Sequence, residues 1–173
     1  HNRRDDGCGG FSFPPPPLRY HGRKSVTPVF VKNQTPLEVF QTALREGWQP
    51  VPLANLLGFR LTEIEKGRAV VDLEAGDQHA NILGTLHGGV MATVADSAMG
   101  LAAASTLEAG ERTTTVDLAI HFFRPLKSGR LRAVAGVVKD GRTLVYVECD
   151  LTDDAGRLVA RASSTCMTLR DAE

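Results

Sequence analysis

Residues 81–96 read Asn81-Ile82-Leu83-Gly84-Thr85-Leu86-His87-Gly88-Gly89-Val90-Met91-Ala92-Thr93-Val94-Ala95-Asp96. A polar, glycine-rich turn runs straight into an apolar helix. That helix carries one carboxylate, Asp96, among Val90, Met91, Ala92, Val94, Ala95, Ala98 and Met99. Desolvating a lone acid costs free energy, so an acid in such company is a candidate for chemistry. The pattern predicts a helix from about Gly84 to Leu107. Gly89, Thr93, Asp96, Gly100 and Ala103 step by three and four residues and so share one face. Their small side chains let a neighbouring element or a ligand approach closely. The other faces, with Val90, Met91, Val94, Ala98 and Leu101, carry almost no charge, as expected of a buried helix.

Outward from this helix the signals alternate between helix and strand. Thr35 followed by Pro36 predicts an N-cap and a proline at the first helical position. Leu37, Phe40, Ala43 and Leu44 then recur at helical spacing until Gly47. Pro50 and Pro52 read as a connector. Leu57 to Glu74 reads as two strands turning at Lys66-Gly67, with Val70 breaking an otherwise regular alternation. Beyond the long helix the chain is β: Thr114 to Phe123, Leu131 to Val138, Thr143 to Leu151 and Leu158 to Leu169. Turns stand at Asp140-Gly141 and at Asp153 to Gly156. In Thr114 to Phe123 the alternation puts Val116, Leu118, Ile120 and Phe122 on one side. The fold class is therefore α+β, one long helix wrapped by a five- to six-stranded antiparallel sheet.

The chain has 173 residues, 42% of them hydrophobic, enough for one domain with a real core and a tail. Its 20 basic and 20 acidic residues balance, so nothing marks a nucleic-acid partner. Residues 1–35 hold six Lys/Arg against two Asp, with Gly-Cys-Gly-Gly and four successive prolines, Pro14 to Pro17. They read as a flexible tail, and residues 36–173 as the folded domain. No Met stands before Met91. The expectation is that the first residues include additions, or that translation starts at a non-Met codon such as that of Val26 or Val29. Cys8, Cys149 and Cys166 form no Cys-x-x-Cys pair, and a sparse, odd count fits a reducing compartment. Cys149 and Cys166 read as small core residues. No run is long enough for a membrane span, and no apolar h-region follows the basic start, so a signal peptide is not expected. A cytoplasmic protein without a membrane partner is the expectation.

The ordered set Asn81, Gly84-Thr85-Leu86-His87-Gly88-Gly89, Asp96, Thr115-Val116-Asp117-Leu118, Phe122-Phe123-Arg124-Pro125 with Gly129, Asp140-Gly141-Arg142, Asp154-x-Gly156-Arg157-Leu158-Val159-Ala160 and Thr165 resembles the hotdog-fold acyl-CoA thioesterases of the PaaI-like, phenylacetic-acid-degradation group. The resemblance covers about residues 50–169. It implies hydrolysis of acyl-CoA thioesters at sites shared between two subunits, hence a homodimer, commonly paired into a homotetramer.

It also implies roles. Gly88, in the first turn of the helix, would donate its backbone N–H to the oxyanion, where the helix dipole is positive and no side chain obstructs the carbonyl. Asp96 would be the general base or the nucleophile. Asn81, His87 and Thr115 match the polar helpers around them. CoA phosphates need positive charge, and Arg124 and Lys127 flank Pro125 while Lys139 and Arg142 flank a hairpin turn. These segments match stretches that line the CoA path. With Phe122, Gly141 and Thr143, and with Gly89 of the turn, they are the expected substrate-binding residues. No cofactor is expected. No metal is expected either, because the spacing of His79, His87 and His121 demands none. Two other classes share the fold. A dehydratase would use a histidine working with an acid, and the spacing from His-Gly-Gly to Asp96 fits hydrolysis better. A non-enzymatic acyl-CoA sensor would have no need of Asp96.

Overall fold

The computed structural model describes residues 33–170. The expected tail over residues 1–35 falls almost entirely outside them, as do the last three residues of the expected domain. Helix α1, Pro36–Glu46, starts as its sequence requires. The Thr35 hydroxyl accepts from the Glu38 N–H and the Glu38 carboxylate accepts from the Thr35 N–H, a reciprocal cap. Gly47 ends the helix with φ 74°. A second helix, α2, spans Pro52–Leu57, where the sequence reads as a connector. Six residues are too few to show a period. Pro52 at its first position and Gly58 at its C-cap were the available signals.

Strands β1 (Arg60–Glu65) and β2 (Arg68–Ala75) form the first hairpin, with Lys66-Gly67 at its turn. A 3₁₀ turn at Asp77–His79 leads to the long helix α3, Gly88–Ala104. The helix begins four residues later than its pattern suggests, because Gly84 holds φ 69° in a turn. Then come β3 (Arg112–Phe122), β4 (Gly129–Asp140), β5 (Leu144–Thr152) and β6 (Leu158–Leu169). The six strands form one antiparallel sheet in the order β1-β2-β4-β5-β6-β3. Helix α3 lies along its concave face and touches every strand. Met91, Val94, Ala95, Ala98, Met99 and Ala102 are buried against Val71, Leu73, Leu131, Ala133, Ala135 and Val147. Cys149 and Cys166 are both buried. Burial pushes the Cys149 thiol up to about 12 and raises that of Cys166, so both are core residues and not thiolates.

The two sheet edges differ. Edge strand β1 is short, bulged at Leu61/Glu63 and rich in charge, features that discourage edge-to-edge pairing. Edge strand β3 is eleven residues long and exposes Val116 and Phe122. The simple alternation read for β3 does not hold. A bulge between Thr115 and Asp117 places one extra residue, Val116, in the strand. Leu118 and Ile120 pack on the core, whereas Val116 is 57% exposed. Thr115 takes the inward position that Val116 would have had.

Val70, the break in the β2 pattern, lies on the outer face and is fully buried. On that face Glu63 pairs with Arg68 at 2.9 Å and with Arg132, and Arg132 reaches Asp72 at 3.1 Å. The network ties β1 to β2 and β4 over an apolar side chain. Hydrogen bonds from Arg68 and then Arg132 hold the Glu63 carboxyl below its usual range. Its stabilisation is therefore present above the unfolded-state value of about 4.3 and is lost as pH falls through the lower folded value. Glu63→Gln should lower the melting temperature at pH 7 by an amount worth about 1 kcal/mol or less, since the groups are part-exposed. Calorimetry from pH 7 to pH 3 should show that gap closing. A gap of constant size would remove the charge of Glu63 from the account.

Candidate active site

The turn before α3 is organised by Asn81. Its side-chain oxygen accepts from the N–H of Leu83 at 2.8 Å and of Thr85 at 3.3 Å, and its amide nitrogen donates to the Thr85 hydroxyl at 3.0 Å. This is an Asx turn, and it leaves one amide hydrogen of Asn81 uncommitted among the described residues. The N–H of Leu86 donates to the Leu126 carbonyl at 2.7 Å and that of His87 to the His79 carbonyl at 2.8 Å, so the turn is anchored on both sides. His79 is buried and committed to backbone. Nδ1 accepts from the Gly76 N–H and Nε2 donates to the Leu57 carbonyl, the tautomer its partners require. His121 is exposed on β3. Among the described residues no group of three or more His, Cys, Asp or Glu side chains is placed to hold a metal ion.

His87 caps α3. Its Nδ1 accepts from the Gly89 N–H at 2.9 Å. A Cβ on Gly89 would stand 3.0 Å from that nitrogen, so any larger residue would make the capping ring give by a few tenths of an ångström. The Gly88 N–H, also in the first turn, has no hydrogen-bond partner among the described residues. A Cβ on Gly88 would meet the Phe122 ring at 3.1 Å. Gly88 lines an open cleft of about 360 Å³ with Asn81, Thr85, Met91, Phe122, Arg124 and Pro125.

Asp96 lies on the next-but-one turn, half-buried on the small-residue face. It is thus less enclosed than its apolar sequence neighbours suggest, because Val94, Ala95, Ala98 and Met99 point to the core and Asp96 does not. The Thr115 hydroxyl donates to Asp96 Oδ1 at 2.9 Å, and Oδ2 takes no protein partner among the described residues. Beyond Thr115 an apolar pocket of about 220 Å³ opens between α1, α3 and β3, lined by Phe40, Pro50, Val51, Gly100, Leu101 and Ala104.

The expected residues do not converge in one chain. Gly88 and Asp96 are eight residues apart on a straight helix, about 12 Å at 1.5 Å per residue. The basic candidates are also divided. Arg124 and Lys127 follow the end of β3. Lys139 and Arg142 flank the β4–β5 turn, which lies beside the start of β3 through the pairings Leu144 to Met167 and Thr114 to Met167. The length of β3 separates the two groups by roughly 30 Å at 3.3 Å per residue. All four are exposed. At that turn Gly141 cannot be replaced without strain, since a Cβ would stand 2.5 Å from the Leu144 carbonyl oxygen. The carbonyls of Arg142 and Thr143 accept from the Arg170 guanidinium and the Thr168 N–H, which fastens the turn to β6. The sequence reading left Asp117 and Ser164 without a role. Their only signal was a place beside Thr115 and Thr165, and the bulge that gives them meaning is not visible in the alternation.

Comparison with known proteins identifies the family. The model of the thioesterase superfamily matches residues 83–160. Acyl-coenzyme A thioesterase 13 of Homo sapiens is 35% identical over 107 residues, 61% of this chain and 76% of that one. The 1,4-dihydroxy-2-naphthoyl-CoA hydrolase of Listeria monocytogenes is 27% identical over 65% of this chain and 92% of its own. Among solved structures, a thioesterase family protein from Silicibacter pomeroyi is 30% identical, with a TM-score of 0.69 over 76% of this chain and 98% of that one. The N33D mutant of the phenylacetic acid degradation protein PaaI from Thermus thermophilus is 30% identical, with a TM-score of 0.63 over 68% and 98%. With its central helix, its six-stranded wrap and these relatives, the chain belongs to the thioesterase superfamily, as a PaaI-like thioester hydrolase of the hotdog fold.

Proposed function

We propose that the protein hydrolyses acyl-CoA thioesters to a carboxylic acid and CoA, at sites that two copies of the chain build together. One observation carries the reading. A helix N-terminal N–H without a partner and a hydroxyl-held carboxylate stand on the same helix, too far apart to serve one carbonyl. Phe122 packs beside Gly88 and Thr115 beside Asp96, so α3 runs antiparallel to β3. An antiparallel pairing of two β3 edges about a two-fold axis near Ala119, midway between Thr115 and Phe122, brings the Gly88 end of one copy to the Asp96 of the other. The same pairing brings Arg124 and Lys127 of one copy toward Lys139 and Arg142 of the other. An isologous dimer is the unit that this reading calls for. Pairing of two dimers into a tetramer is not required by it.

At such a site the substrate carbonyl oxygen accepts from the Gly88 N–H, which stabilises the developing oxyanion by about 3–4 kcal/mol. Asp96, with Oδ1 occupied by Thr115, takes a proton from water at Oδ2. The water oxygen attacks the carbonyl carbon, the C–S bond breaks, and the departing thiolate recovers the proton from Asp96. The spare amide hydrogen of Asn81 is available to the water or the carbonyl. His87 fixes the first turn from which Gly88 donates. The pocket beyond Thr115 takes an apolar acyl group, and the basic strand ends take the CoA phosphates. The names of the relatives support this substrate class: one is an acyl-coenzyme A thioesterase, another a naphthoyl-CoA hydrolase.

Four outcomes are expected. Asp96→Ala should lower kcat by at least about 100-fold, the usual contribution of general base catalysis, in a protein that still folds. In a single turnover in H₂¹⁸O the wild-type product should carry the label at once. An unlabelled first product would instead make Asp96 the nucleophile. Ala119→Cys should form an intermolecular disulfide on mild oxidation, read on non-reducing gels, whereas a chain that sediments as a fully active monomer at micromolar concentration would end the shared-site reading. Arg142→Ala should raise KM for every acyl-CoA by a similar factor with kcat nearly unchanged, an effect that shrinks at high salt.

A further inference from the structure

The bulge in β3 works against the hydrophobic pattern of its own sequence. Regular pairing would place Val116 inward with Leu118 and Ile120, and turn Thr115 outward, since a one-residue slip exchanges the two faces of a strand. The structure does the reverse. Val116 is exposed and Thr115 points at Asp96. Something must hold the strand in the less apolar arrangement. Two bonds from β6 do so, and both end on Asp117. The Thr165 N–H donates to Asp117 Oδ1 at 3.1 Å, and the Ser164 hydroxyl, itself buried, donates to the Asp117 carbonyl at 2.8 Å.

We propose that Asp117 is a positioning residue for the hydrolytic site: it pins the β3 bulge so that the Thr115 hydroxyl faces the Asp96 carboxylate. The inference rests on the proposed role of Asp96. It requires an acceptor oxygen at position 117, not a charge, because the partner is a neutral backbone N–H. It also requires that Asp117 act only through Thr115. Bulges beside active sites commonly re-aim a side chain in this way, and their register has to be held because the ladder is interrupted there.

The test uses the full chain with Asp117→Ala, Asp117→Asn, Thr115→Ala and the double variant Thr115→Ala/Asp117→Ala. Asp117→Ala should lower kcat by about 10- to 100-fold, the scale of a misplaced catalytic group, with KM changed less than twofold. Asp117→Asn keeps the acceptor oxygen and should restore kcat to within about threefold of wild type. In the Thr115→Ala background the Asp117→Ala change should cost nothing further, as expected when two residues act as one unit. A crystal structure of Asp117→Ala should show Thr115 Oγ1 more than 3.5 Å from Asp96 Oδ1. Retention of the 2.9 Å contact, an Asn variant as impaired as the Ala variant, or an equal loss in both backgrounds would each overturn the proposal. If Asp117→Ala fails to fold, Ser164→Ala, which removes the second bond, carries the same expectations at smaller size. A wild-type chain that releases no thiol from any acyl-CoA would overturn the proposed activity instead, and the crystallographic distance would then decide the positioning by itself.

Discussion

The site depends on one extra residue in an edge strand. Asp96 sits on a helix whose other sides are committed to the core, so it can face only β3. In that strand the residue opposite it is decided by the bulge. With regular pairing an apolar valine would face the carboxylate, which would leave the acid oxygen nearest the strand with no protein donor. With the bulge a threonine hydroxyl donates to it at 2.9 Å. A hydrogen bond to a half-buried carboxylate is worth more than the partial burial of one valine, roughly 1.5–3 kcal/mol against about 1 kcal/mol for the area concerned. The strand therefore tolerates an exposed Val116. Asp117 and Ser164 add the local geometry that makes the choice definite.

A second constraint is the length of α3. An α-helix of seventeen residues is a ruler, and it fixes the distance between its N-terminal donor and its acid. At about 12 Å the two cannot meet on one thioester. In the proposed dimer symmetry resolves this: a two-fold axis lays a second ruler in the opposite sense, and the end of one faces the middle of the other. On this reading the small-residue face of α3 serves the site. Gly89 admits the His87 cap and Gly88 leaves space for the Phe122 ring, while Gly100 lines the apolar pocket beyond Thr115.

Much of this was legible in the sequence. The cap at Thr35 and the stop at Gly47 were clear because each rests on local chemistry that a few residues state completely. The same holds for the turns at Lys66-Gly67 and Asp140-Gly141. The acid on an apolar helix stood out because its neighbours made it costly. What could not be read has physical reasons too. Helix α2 is shorter than two turns, so no period develops. The start of α3 is displaced from Gly84 to Gly88 because Asn81 organises a turn through side-chain bonds that leave the apolar pattern untouched. The β3 bulge contradicts the alternation of Val116, Leu118 and Ile120, so periodicity pointed to the wrong face. Here local pattern and tertiary structure disagree, and the place adjoins the acid. That a conflict of this kind falls beside a functional group is expected, since such sites are where other demands outweigh apolar patterning.

The two edges of the sheet complete the logic. An exposed strand edge is a hazard unless it is short, charged or covered. β1 is short and charged, and the Glu63, Arg68, Arg132 and Asp72 network braces it against the sheet. β3 has neither protection over most of its length, and it is the strand that carries Thr115. If the fold needed β3 only as a wall for the helix, charged residues along its edge would cost little and would guard it. They are sparse where the proposed axis runs, at Leu118 and Ala119. On the proposed reading the edge stays open to a second copy, because the copy that covers it also supplies the N–H that the Asp96 site lacks. In the proposed dimer assembly and chemistry are two consequences of the same strand: the pairing that removes the exposed edge also builds the site.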